Sequence, residues 1–220
     1  MLIDTISQLI QAIRVRGMEV VFGRFYGVYR GVVADTKDPQ KLGRIRVLVP
    51  ALGQTTAAAT LWFWPSAMQA GPSFGAFHPP AQDSSVWVTF EQGDPSRPGL
   101  YLGGWYGAPG GQSDLPTEFA YPSGTAAPRR FGWITRGGHR LIFDDTQDAE
   151  TLKLAWHQPE ASDPARTDET KAASRTTGKT AELRVHPEGL SLTAADGSTI
   201  EIVTTSGSAE IVVRSADGSK

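Results

Sequence analysis

The feature that most restricts this chain is a repeat at its end. Gly197, Gly207 and Gly218 stand 10 and 11 residues apart. Seven residues before each lies Leu190, Ile200 or Ile211, and five before each lies Leu192, Ile202 or Val213. Each unit is an apolar-x-apolar strand, a polar stretch, and Asp-Gly-Ser or Ser-Gly-Ser at the turn. Leu183 and Val185, before Gly189, form a looser earlier copy. Self-similarity at a fixed short period signals stacked strands and turns. Strands this short, with two apolar side chains each, make a sheet that is marginal alone in water, and ordering the backbone opposes it. Three copies wound about one axis would bury every inward position and pair each strand with a neighbouring chain. The expectation is an intertwined trimeric β-prism with Leu190, Leu192, Ile200, Ile202, Ile211 and Val213 at the trimer interface. Two other destinations stay open here: strands docked on the front of the same chain, and a disordered tail.

The front half has a different rhythm. Val86, Val88 and Phe90 alternate with Trp87 and Thr89, the period of a strand. A second apolar run covers 100–105. Between them Asp94-Pro95 and Arg97-Pro98 exclude helix and force a turn. Upstream, 26–34 is β-rich, 35–43 is a polar loop with Pro39 and Gly43, and Ile45, Val47 and Val49 alternate with Arg44 and Arg46 until Pro50. Residues 53–59 are a small-residue loop, 61–65 a short aromatic strand, and 71–82 an irregular Gly/Pro segment. Five strands within 25–107 suit a small Greek-key barrel of the OB type, whose closure removes aggregation-prone edges.

Residues 1–16 carry the one helical pattern. Leu2, Ile3, Ile6, Leu9, Ile10 and Ile13 form a single apolar stripe, and Gly17 ends it. The stripe serves either its own domain or another chain. Residues 107–129 read as a linker from their Gly, Pro and Ser content. Beyond it, 130–134 and 140–143 read as strands around residues 136–139. Leu152, Leu154 and Trp156 alternate with Lys153 and Ala155, and 158–182 is a polar loop. The domains expected are a helix (1–24), an OB barrel (25–107), a linker (108–129) and a β-prism (130–220). The fold class is mostly β.

Composition limits the chemistry. With 21 basic and 23 acidic residues the chain has no electrostatic footprint for nucleic acid. Cysteine is absent, which excludes disulfides and thiolate sites. No apolar run reaches the roughly 18 residues of a membrane span, and Asp4 and Gln8 break any secretory pattern; synthesis in the cytoplasm is expected. His78, His139, His157 and His186 are scattered, without the close spacing of metal ligands. Asp144 and Asp145 before Thr146 read as turn chemistry. The glycines at 71, 75, 103 and 104 lack the context of a phosphate loop. Glu91 and Asp94 share one hairpin loop, which suits no glycosidase pair. No catalytic, cofactor or metal residue is assigned, and no enzyme is expected. A competing reading places an oligosaccharide or single-stranded nucleic acid on the barrel, with Arg30, Arg44 and Arg46 beside Tyr29, Trp62 and Trp64.

Three segments together resemble a known family. The first is Asp35-x-x-Asp38-Pro39-x-x-x-Gly43-Arg44 between strands; the second is Gly93-Asp94-Pro95-x-x-Pro98, followed by Gly103-Gly104-Trp105-Tyr106. They look like the OB domain of phage baseplate spike proteins and of the valine-glycine-repeat spike of type VI secretion. The third, 137–146, opening on Gly137-Gly138-His139, resembles the start of that family's β-prism. The resemblance implies a homotrimeric axial spike of a contractile tail, part of the virion, whose OB domains sit on a hub and whose prism meets the host cell envelope. The sequence departs from that family in two ways: 107–129 is too short for a lysozyme-like insertion, and the long hub domains that precede the OB fold in the secretion version are lacking, so the hub is expected on a separate chain. Ile3, Ile6, Ile10 and Ile13 would then dock the helix into that hub. A separate tip protein and a tape-measure protein are further possible partners, and no nucleic acid is expected.

Overall fold

The computed structural model of the chain describes residues 2–54, 61–121, 127–162, 178–205 and 208–217. Two compact units emerge, Met1–Asp114 and Leu115–Lys220. Among the described residues no helix is long and apolar enough to cross a membrane.

In the first unit the expected helix is α1, Leu2–Arg16. Gly17 ends it, but a second short helix, α2 (Met18–Phe22), starts at once and stops at a left-handed Gly23. No helix is expected there from the sequence, because five residues are too few for a periodic signal. α1 packs on α2. Two polar contacts tie α2 and its C-terminal end to the barrel: the Tyr29 hydroxyl donates to Glu19, and Arg24 meets Asp94 at 2.9 Å.

Five strands of this unit close into a barrel. They are β1 (Tyr29–Asp35), β2 (Ile45–Leu48), β3 (Trp62–Pro65), β6 (Ser85–Phe90) and β7 (Gly99–Gly104), hydrogen-bonded in the order β1-β2-β3-β7-β6. Neighbours are antiparallel except β3 and β7, which run parallel, and β1 with β6 completes the ring. The register slips between Val33 and Asp35 and between Trp87 and Val88; such bulges add the bend a small barrel needs. Inward residues are those the alternation marked. Val33, Ile45, Val47, Val49, Val86 and Val88 are fully buried, joined by Phe25, Phe63, Phe90 and Tyr101. Phe25 and Phe63 meet Phe90 edge-on at 6.2 and 5.8 Å, the geometry aromatic quadrupoles favour. The segment expected to be irregular contains a two-residue hairpin, β4 (Ala70–Gly71) with β5 (Phe74–Gly75).

The second unit is one antiparallel sheet of seven strands in sequence order. They are β8 (Arg130–Ile134), β9 (Arg140–Asp144), β10 (Thr151–Gln158), β11 (Lys179–His186), β12 (Gly189–Thr193), β13 (Thr199–Thr205) and β14 (Ser208–Arg214). β11 begins at Lys179, so the polar loop ends earlier than its composition indicates; most of it, with Gly207 and Gly218 of the repeat, lies outside the described residues. The described backbone ladder runs within the chain, from hairpin to hairpin. Most of these strands are linked by two to six residues, which close a ladder locally at little entropic cost, whereas twenty residues separate β10 from β11. The interior strands therefore offer side chains to another molecule, while the edge strands β8 and β14 each keep one unpaired backbone edge.

Candidate functional site

Cross-strand neighbours share a face of a sheet, and the registers of the second unit line up two unbroken apolar columns. The first runs Trp133, Leu141, Leu154, Leu183, Leu192, Ile200 and Val213. The second runs Phe131, Phe143, Leu152, Val185, Leu190, Ile202 and Ile211. All six residues assigned to an interface from the repeat fall in these columns. Leu192, Ile200, Ile202, Ile211 and Val213 are exposed, and Leu190 is half-buried. The repeat reveals only the last four strands of this face, β11 through its looser copy at Leu183 and Val185. Sequence reasoning missed Phe131, Trp133, Phe143, Leu152 and Leu154 as members of it, although the alternation at 152–156 marks the right side of its strand. An apolar stripe seven strands wide far exceeds the scattered single hydrophobics of an ordinary surface.

The reverse face carries a small buried set, Ile142, Ala155 and His157, together with self-paired charges. Arg130 meets Asp144 at 2.7 Å, Arg140 meets Glu118 at 3.0 Å, Arg184 meets Glu182 at 3.1 Å, Lys153 meets Glu182, and Arg214 meets Glu201. One face thus satisfies its own charges while the other leaves its apolar atoms in water.

Several of the residues weighed for chemistry make contacts within their own turns and strands. Asp144 takes the amide and hydroxyl of Thr146. His139 Nδ1 accepts the backbone N–H of His157 at 3.1 Å, and the His157 ring, nearly buried, faces the Thr180 hydroxyl at 3.2 Å. Gly138 makes room for that ring: its φ is +86°, and a Cβ there would stand 2.6 Å from His157 Cδ2. Asp38 accepts the amides of Gln40, Leu42 and Arg44 and two guanidinium N–H groups of Arg44. The Arg44 side chain holds the Asp38 carboxyl well below the usual range, and those amides help. The Ser96 hydroxyl and amide, then Arg24, hold Asp94 at about 2. Both motif aspartates are turn clasps.

Outside the barrel, arginines lie over tryptophans. Arg44 and Arg46 cover Trp62 at 5.6 and 4.7 Å, and Arg44 also reaches Trp64 at 5.3 Å. Arg30 lies 5.6 and 5.0 Å from Trp87 and Trp105. The sequence paired Arg30 with Tyr29 instead. Tyr29 packs inward on Phe25 and Phe90, and burial, then its bond to Glu19, raises its pKa. Trp87 and Trp105 are brought to Arg30 by strand pairing, which no local pattern reveals.

On α1, Ile6, Leu9 and Ile10 are exposed and Ile13 is half-buried. The side chain of Ile3 lies outside the described residues.

Residues 29–106 match the family of the type VI secretion system/phage-baseplate injector OB domain. No curated protein matches the chain. The match spans the five barrel strands and both aspartate clasps. The match makes the barrel similar to that OB domain and supports a baseplate spike-type protein.

Proposed function

We propose, from the premise of an injector-type OB barrel, that this chain is the axial spike of a contractile injector, acting as a homotrimer. The observation that carries the proposal is the pair of apolar columns across β8 to β14, exposed in one chain. A threefold arrangement turns all three faces toward one axis and buries the columns against one another, while the ion-paired faces stay in water. The columns are aromatic toward β8 and aliphatic toward β14, so side-chain bulk falls along the proposed shaft. The role is mechanical. Every strand is hydrogen-bonded to the next, so bending the shaft requires breaking many bonds together, and no catalytic step is assigned.

The exposed stripe of α1 suits docking into a separate hub chain, and the β14 side of the prism suits contact with a tip protein or the target envelope. In a phage this places the chain in the virion, at the baseplate. The oligosaccharide or single-strand reading is less favoured, because the tryptophan faces a sugar or base would stack on carry arginines.

Light scattering on the purified chain at micromolar concentration tests the proposal. A mass three times the 23.6 kDa of one chain is expected. A monomer would overturn it.

A further inference from the structure

We propose that the arginine–tryptophan layer outside the barrel is a docking surface for a carboxylate-bearing segment of another protein. Arg30 and Arg46 alternate with the buried Val33, Ile45 and Val47, so they point outward from β1 and β2. They differ from the other arginines of the barrel. Arg44 sits on Asp38 at 2.7 Å, while Arg24 and Arg97 share Asp94. Among the described residues, no carboxylate comes within ion-pair distance of Arg30 or Arg46. Asp35 is the register partner of Arg46, yet its oxygen accepts the Lys37 amide at 2.8 Å. Two buried donors, Arg46 Nε in the cluster with Trp62 and Trp105 Nε1 in the cluster with Arg30, also lack an acceptor.

A guanidinium laid on an indole keeps its charge but loses much of its rotamer freedom before any partner arrives. Its free edge then presents two parallel N–H groups, the match for a bidentate carboxylate. Arginine and tryptophan are also the side chains most enriched where interfaces hold most of their binding energy. A phosphodiester would fit the same fork. Single-stranded nucleic acid, however, takes much of its affinity from bases stacked on open aromatic rings. Here guanidinium groups lie over Trp62 and Trp87, and a net charge of −2 gives no general pull on a polyanion. An acidic protein segment is the better occupant.

The test uses the full chain and fluorescein-labelled hexaglutamate, with hexalysine and a twelve-residue oligodeoxythymidine carrying the same dye. Fluorescence anisotropy reads binding at low and at physiological salt, and the readout does not depend on the oligomeric state. Saturable hexaglutamate binding that weakens with salt is expected, with no response to hexalysine. Arg30→Gln with Arg46→Gln should weaken it about tenfold or more, since two charge-assisted contacts are lost. Arg30→Lys with Arg46→Lys keeps the charge without the fork, so it should restore only a small part of the affinity; this pair also serves if the glutamine variant fails to fold by circular dichroism. Absence of hexaglutamate binding at millimolar peptide, or equal binding by the substituted chains, would overturn the proposal. Tighter, arginine-dependent binding of the oligonucleotide would overturn it too.

Discussion

Replacing Ile200 and Ile202 together by aspartate tests the apolar columns most directly. In one chain these side chains are 44% and 39% exposed, so close to two-fifths of each remains to be buried by association. Full burial of an isoleucine contributes about 1.5–3 kcal/mol, so the exposed share is worth roughly 0.6–1.2 kcal/mol per residue and about 4–7 kcal/mol over six residues in a trimer. Losing that alone lowers the association constant by roughly three to five powers of ten. Six carboxylates gathered near one axis add desolvation and mutual repulsion to the loss. Sedimentation equilibrium at micromolar concentration should find the variant as single chains, with the barrel intact by circular dichroism. Glu201→Gln is the matched control. It lies between the two isoleucines in sequence but on the reverse face, where it only loses its pair with Arg214, worth at most about 1 kcal/mol at a surface. If the aspartate variant stays trimeric, or if Glu201→Gln dissociates as readily, the assignment of faces is wrong.

Three other expectations concern the fold. Asp38 and Asp94 titrate below the ordinary carboxylate value of about 3.9; the unfolded chain therefore binds their protons first, and the stability they confer is present above that value and lost as pH falls toward about 2. Melting temperature followed from pH 5 to pH 2 should fall less steeply in Asp38→Asn with Asp94→Asn than in the parent chain, and equal slopes would refute the clasps. Gly138→Ala should cost about 1–3 kcal/mol, because it places a side chain at positive φ against the His157 ring; chemical denaturation measures this, and an unchanged midpoint would remove His157 as the reason for that glycine. Residues 1–114 expressed alone should give a folded monomer with dispersed amide resonances, since the barrel core draws on no residue after Tyr101. A collapsed spectrum would show that the barrel needs the rest of the chain.

Much of the barrel was legible in the sequence. Alternation gave its strands and inward residues, because a strand with one buried face writes its register locally. The Asp38 and Asp94 motifs were equally visible, and their turn chemistry is local as well. The β4–β5 hairpin and α2 were missed, since two-residue strands and a single helical turn leave no period to detect.

The limit lies where partners come from different strands. The spacing of Leu190, Ile200 and Ile211 from their glycines was enough to determine that the tail is a run of short strands with apolar residues on one face. Only the tertiary structure decided that the same face continues through Trp133 and Phe143, that β8 to β14 pair in sequence order, and that Arg30 lies over Trp87 and Trp105. Each of these depends on which residues the register sets side by side, and the period of a single strand carries no record of its neighbour.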